Sequence, residues 1–141
     1  MIIHMNDDHP LLKEIAYLHE AIPAGYKDWQ PTDLDYLLRE ESLKLLMQHE
    51  GDQILAVVEE ELVAFIWYKM TDHTHIKSLW VDPRRRGQGY ASRLKNEVKR
   101  MSEAQGMAYI KGTVHPANRV MVALNKKLGY NWVGKEMRLE L

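Results

Sequence analysis

Residues 79 to 94 read LWVDPRRRGQGYASRL. An apolar, β-branched end meets Asp82-Pro83. Arg84, Arg85 and Arg86 follow, then Gly87 and Gly89 one residue apart. From there Ala91, Leu94, Val98 and Met101 recur at helical spacing. A strand, a glycine turn and a helix in that order leave free backbone N–H groups at a helix N-terminus. Those groups and the helix dipole attract an anion, most often a phosphate. Glycines let the backbone approach such a guest closely, and the three arginines can add charge-assisted hydrogen bonds. The nucleotide P-loop is absent, because no GxxxxGK followed by Ser or Thr occurs. The dinucleotide fingerprint fails as well: position 92 is Ser, and Tyr109 stands where an acid is needed. A glycine turn beside a solvated arginine cluster remains the plain alternative for this stretch alone.

The flanking sequence supplies the rest of an α/β unit. Ile2 to Met5 suits a short strand, and Asp7 or Asp8 can cap a helix carrying Leu11, Ile15, Leu18 and Ile22. Pro23 and Gly25 end that helix. Thr32 with Asp35 has capping-box spacing before Leu34, Leu37, Leu38, Leu45 and Leu46. The charged middle, Arg39 to Ser42, is a candidate break in this second helix. Ile54–Val58 and Leu62–Met70 flank Glu59-Glu60-Glu61 and read as a hairpin, and Thr74–Val81 is a further strand. After the glycine helix, which Gly106 closes, come a strand over Ala108–Val114 and a helix over Asn118–Leu128. Tyr130–Leu141 has room for one or two last strands. The order β-α-α-β-β-β-α-β-α-β predicts one mixed α/β domain over residues 1–141.

Composition narrows the class. The 141 residues are 45% hydrophobic and 28% charged, with 19 Lys and Arg against 20 Asp and Glu. A net charge of −1 argues against a surface built for nucleic acid. With no cysteine, disulfides, thiolate nucleophiles and zinc–thiolate sites are excluded. The expectation is a cytoplasmic protein with no metal and no membrane partner, since no apolar run approaches spanning length.

The opening stretch together with a second one, NRVMVALNKKLGY at 118 to 130, resembles the GNAT superfamily of N-acetyltransferases. Arg86, Gly89 and Ala91, preceded by Val81 and Pro83, match that family's acetyl-CoA loop. Asn118, Leu124, Lys127, Gly129 and Tyr130 match its second motif, and the order of elements agrees. The resemblance implies a mixed, largely antiparallel sheet of six to seven strands flanked by about four helices, splayed between strands 74–81 and 108–114. It implies acetyl-CoA as cosubstrate. The pyrophosphate would lie on the amides of Arg86, Gly87, Gln88, Gly89, Tyr90 and Ala91, and the pantetheine arm along Leu79, Trp80 and Val81 as an added strand. Asn118 would help hold that arm as well as cap its helix, with Lys127 at the helix end.

Acetyl transfer needs a neutral amine. A lysine-like amine with a pKa near ~10.4 is neutral in roughly one molecule in 10³ at pH 7. The resemblance places a base at His75, six residues before Val81, where members carry His or Glu. His73 and water are the other candidates. Strand alternation puts His73, His75, Lys77, Leu79 and Val81 on one face. The two histidines alone are too few for a metal site. Where the family often has a Tyr to protonate the leaving thiolate, this chain has Asn125, so the general acid is water, another side chain such as Tyr90 or Tyr130, or absent. Tyr26, Trp29 and Trp67 offer flat apolar surface for an acceptor amine of unspecified size. The oligomeric expectation is a monomer or homodimer. A domain that binds acetyl-CoA as a sensor, without turnover, is the alternative function.

Overall fold

In a computed structural model, described over residues 1–22 and 30–141, the chain begins with β1 (Ile2–His4). Two helices follow, α1 (Leu12–Ala21) and α2 (Asp33–His49). Strands β2 (Gln53–Val58), β3 (Leu62–Met70) and β4 (Thr74–Val81) form a meander. Then come α3 (Tyr90–Ala104), β5 (Tyr109–Thr113), α4 (Arg119–Lys127), β6 (Asn131–Val133) and β7 (Glu136–Glu140). The seven strands lie in one sheet in the order β1-β2-β3-β4-β5-β7-β6. Every pairing is antiparallel except β4 with β5. The mixed, mostly antiparallel sheet with four helices agrees with the expected architecture.

Alternation along the strands divides the core in two. Leu55, Val57, Ile66, Tyr68 and Ile76 face Leu94 and Val98 of α3. On the other face Ile54, Ala56, Phe65 and Trp67 meet Leu12 and Ile15 of α1 and Leu43 of α2. β3 is buried along its first seven residues because both faces are covered.

Three local expectations shift. α1 starts at Leu12, five residues after Asp7 and four after Asp8, because the chain turns before it, with His9 Nδ1 accepting from the Leu11 N–H at 3.1 Å. Thr32 and Asp35 do form the capping box, but α2 then runs unbroken to His49. Its charged middle is satisfied by partners: Arg39 pairs with Glu20 of α1, and Lys44 with Glu40 one turn back. Helix α2 buries only Leu43 fully and leaves Leu34, Leu37, Leu38 and Leu45 exposed. Its apolar residues therefore do not form the single buried stripe that their spacing suggests.

The feature that positions the site is a bulge. Trp67 pairs with Ser78 but the next residue, Tyr68, pairs with Ile76, so Lys77 is extra in β4. The expected common face for His75, Lys77, Leu79 and Val81 is therefore wrong beyond Lys77. His75, Lys77, Ser78 and Trp80 point toward the α1 side, whereas Leu79 and Val81 join Ile76 on the α3 side. Buried Asp52 fixes the extra residue. Its Oδ2 accepts from Trp67 Nε1 at 2.7 Å and from Lys77 Nζ at 2.5 Å. On the opposite face Thr74 and Ser102 share a buried hydrogen bond of 2.6 Å that ties the start of β4 to α3. Replacing Asp52 with Ala leaves an indole N–H and an ammonium without their acceptor. A loss of about 1–3 kcal/mol is expected, read from the urea midpoint with an unchanged m-value.

Candidate active site

Parallel pairing between β4 and β5 covers only Thr74–Ile76 against Ile110–Gly112. After the bulge β4 continues to Val81 with β3 as its one registered neighbour. The strands part there, and a cleft of about 870 Å³ opens between them. Ser78 and Leu79 line one wall, and Thr113, Val114, Asn118, Met121 and Asn125 the other. Lys95 of α3 and Tyr130 line it as well, as do His19 and Ile22 from the end of α1, Lys77, Trp132 and Lys135. No Asp or Glu occurs among the described residues of the lining.

The polar atoms of this cleft are short of partners. His19 Nδ1, Ser78 Oγ, Asn125 Oδ1 and Tyr130 OH are buried and make no hydrogen bond among the described residues, and all four residues line the cleft. Buried polar atoms are nearly always satisfied, so a cluster of orphans is what a ligand site looks like without its ligand. Burial alone pulls Lys95 down to about 8, with no carboxylate to offset it, and its Nζ lies 4.4 Å from the centre of the Tyr130 ring. Burial and the nearby Arg39 bring His19 down to about 4, so its imidazole is neutral at pH 7.

At the far end of β4 the glycine loop has the predicted form. Asp82 opens a short 3-10 turn over Pro83–Arg85, and α3 begins at Tyr90. Gly87 and Gly89 adopt φ of +77° and +87°, the left-handed region that other residues adopt only under strain. Gly89 is the N-cap and supplies no side chain, so the first amides of α3 keep their hydrogen-bonding capacity for a guest. Space around both glycines is open. The loop and the parted strand thus fit the diphosphate and the amide-bearing arm of coenzyme A.

The arginine run behaves differently from the expectation. Arg84 bonds Asp82 and Glu61, each at 2.8 Å, and Arg85 bonds Glu59. The carboxylates of the β2–β3 turn thus already hold two of the three guanidiniums. Arg86 donates to the Val81 carbonyl at 3.2 Å and is otherwise exposed.

The remaining site residues divide as follows. Asn118 caps α4 by accepting from the Met121 N–H at 3.2 Å, and it also lines the cleft. Asn125 is buried in the wall, its Nδ2 3.4 Å from Met137 Sδ. Lys127 is exposed at the end of α4, away from the lining. The Trp80 ring stacks on Phe65 and is absent from the lining of the cleft. Trp67 is corrected from an acceptor surface to a core residue: it is 1% exposed, packed under His19 and bonded to Asp52. Tyr26 and Trp29 lie outside the described residues. His75 does not line the cleft. It stands in the paired part of β4, its pKa lowered by burial and by Lys111 and Lys77. His73 pairs with Asp72 and stacks on Tyr109.

Sequence reading missed Ser78, Lys95 and His19. A signal existed for two of them. Lys95 sits four residues from Ala91, and His19 four from Ile15, each on the apolar face of its helix. Among the described residues no group of three or more His, Asp or Glu is placed to hold a metal, and no helix is long and apolar enough to cross a membrane.

The model of the acetyltransferase (GNAT) family matches residues 15–130. An L-2,4-diaminobutyric acid acetyltransferase from Marinococcus halophilus is 34% identical over 121 residues, 81% of this chain and 70% of that protein. Two solved structures share the fold across the whole chain. The ribosomal-protein-alanine N-acetyltransferase of Brucella melitensis superposes with a TM-score of 0.79 at 17% identity, covering 100% of this chain and 99% of its own. The PaiA N-acetyltransferase of Thermoplasma acidophilum, in complex with coenzyme A, does so with a TM-score of 0.74 at 16% identity and the same coverage. With its parted β4, its glycine loop and this family match, the chain belongs to the GNAT family and is an acyltransferase that uses acetyl-CoA.

Proposed function

We propose that the chain acetylates a primary amine by direct attack on the thioester of acetyl-CoA, inside the cleft between β4 and β5. The observation that carries this reading is the convergence of orphaned polar atoms on that cleft. The diphosphate would rest on the amides from Arg86 to Ala91. The pantetheine arm would lie along Leu79, Trp80 and Val81 and reach Asn118. Leu79 lines the cleft just after the bulge, and a backbone N–H there would stabilise the oxyanion. The acceptor would meet the part of the lining that includes His19, Ile22, Lys77, Trp132 and Lys135.

The base is a water rather than His75 acting directly. His75 stands outside the lining, and His19, which lines it, is too weakly basic to hold a proton at pH 7. The relative's substrate, an amino acid with a second amine, sets the first probe. Its carboxylate suits a described lining that holds lysines and no acid. Coenzyme A release should rise over background when L-2,4-diaminobutyrate, single amino acids, diamines and N-terminal peptides are offered in turn. Tight binding of acetyl-CoA with no release on any of them would support the non-catalytic sensor, whose one favouring observation is Asn125 in place of the family's Tyr.

Loop variants separate backbone from side-chain binding. Gly89→Val puts a β-branched residue at φ +87° and should weaken coenzyme A at least ~10-fold, the equivalent of about 1.4 kcal/mol. Arg84→Ala, which removes a guanidinium already held by carboxylates, should change affinity less than about twofold. Both are read by calorimetry. For the base, His75→Gln should keep turnover within about tenfold of wild type. A drop of ~10²- to 10⁴-fold with loss of the acidic limb of the rate profile would make His75 the base after all.

A further inference from the structure

Lys95 lines the cleft as a buried cation to which acetyl transfer as proposed assigns no role. The helical period of α3 puts it among Ala91, Leu94 and Val98, where an apolar side chain is expected. It is 5% exposed, has no carboxylate partner among the described residues, and lines the cleft with Asn125 and Tyr130. Asn125 matters because the family often has a Tyr there to protonate the departing sulfur, and an amide has no proton to give at any relevant pH. Tyr130 is a poor substitute: burial pushes its phenol well above its ordinary range, and its hydroxyl hydrogen is not readily lost. Its ring face instead holds the Lys95 ammonium in place. The charged or titratable groups lining the cleft around Lys95 are Lys77 from β4, His19 from α1, His115 before α4, Tyr130 after it and Lys135 before β7. None of them is a carboxylate.

We propose that the Lys95 ammonium is the proton donor to the sulfur of coenzyme A. This rests on the acetyl-transfer reading above. The attacking amine forms its bond to the acetyl carbon, and the carbon–sulfur bond breaks with its electron pair going to sulfur. Lys95 Nζ gives that sulfur a proton, which leaves as the thiol. The proton lost by the new amide nitrogen returns through water to the now neutral Lys95. A lysine serves here because dry surroundings ease its proton loss toward the range of a thiol.

The test needs no knowledge of the acceptor. Coenzyme A and desulfo-coenzyme A differ only in the sulfur, and calorimetry at pH 8 compares their affinities on wild type and on Lys95→Met. Wild type should prefer coenzyme A by about tenfold, the size of one charge-assisted contact, and should lower the pKa of the bound thiol, read from thiolate absorbance. In Lys95→Met the preference should shrink to within about twofold and the bound thiol should titrate as in water. On the amine that wild type acetylates fastest, turnover should drop ~10²-fold, and the fall in rate above the Lys95 pKa should vanish. Lys95→Met should melt no lower than wild type at pH 7, so a misfolded variant is not the explanation. An unchanged preference and thiol pKa in the variant, with coenzyme A still bound, would overturn the role of Lys95 and leave the acetyl-transfer reading intact. A wild type that binds neither compound would overturn both.

Discussion

β4 cannot follow β5 beyond Ile76, and most of the molecule's chemistry derives from that separation. A parallel pair normally continues its ladder as long as both strands last. Here one extra residue, Lys77, rotates β4 so that Leu79 and Val81 turn to the α3 face and the strand's free edge looks into a gap. The bulge is held from both sides. Asp52 grips Lys77 and Trp67 under α1, and the Thr74–Ser102 bond anchors the strand just before it. Backbone groups left without a neighbour in this way cost free energy when buried, and a guest that can hydrogen bond like a strand recovers it.

Charge is arranged around that gap with economy of position. The carboxylates of the β2–β3 turn take up Arg84 and Arg85, which braces the glycine loop against the hairpin. In the proposed complex, recognition of a diphosphate would then fall mainly to backbone amides at the start of α3. Those amides have fixed direction, cannot titrate and need no reorganisation when the guest arrives. Surface guanidiniums would be screened by salt and by their own partners. Deeper in the cleft the order reverses: cations and neutral polar groups line it without a carboxylate among the described residues.

The two motifs were legible because each is local. Strand, Pro, Gly, Gly and helix are neighbours in the chain, and so are Asn118 and the apolar face it caps, so spacing alone places them. What failed depended on groups far apart in sequence. A single bulge residue changes nothing in composition, yet it inverts every later side chain, which is why the expected face for Leu79 and Val81 was wrong. Trp67 looked like acceptor surface until α1 was laid over its face and Asp52, fifteen residues earlier, met its indole. The Arg84–Arg86 run read as a phosphate clamp because Glu59 and Glu61 approach it only through the hairpin. The unbroken α2 has the same origin, since Glu20 of another helix satisfies Arg39.

Lys95 shows how a site can oppose the fold that carries it. Burial holds its folded-state pKa near 8, against an ordinary lysine value of 10.5. The folded chain therefore binds fewer protons than the unfolded chain between those two values. Stability rises with pH across that window, and below it the full desolvation cost is present. The cost is on the order of 3 kcal/mol at neutral pH from the size of the shift, a large fraction of what a domain of this size has to spare. A leucine or methionine at position 95 would satisfy the helix period and remove that cost. In the proposed reaction that strain would be relieved as the leaving sulfur becomes negative beside the ammonium. Folding and the proposed chemistry would then place opposite demands on one side chain, and the second would explain what the first does not.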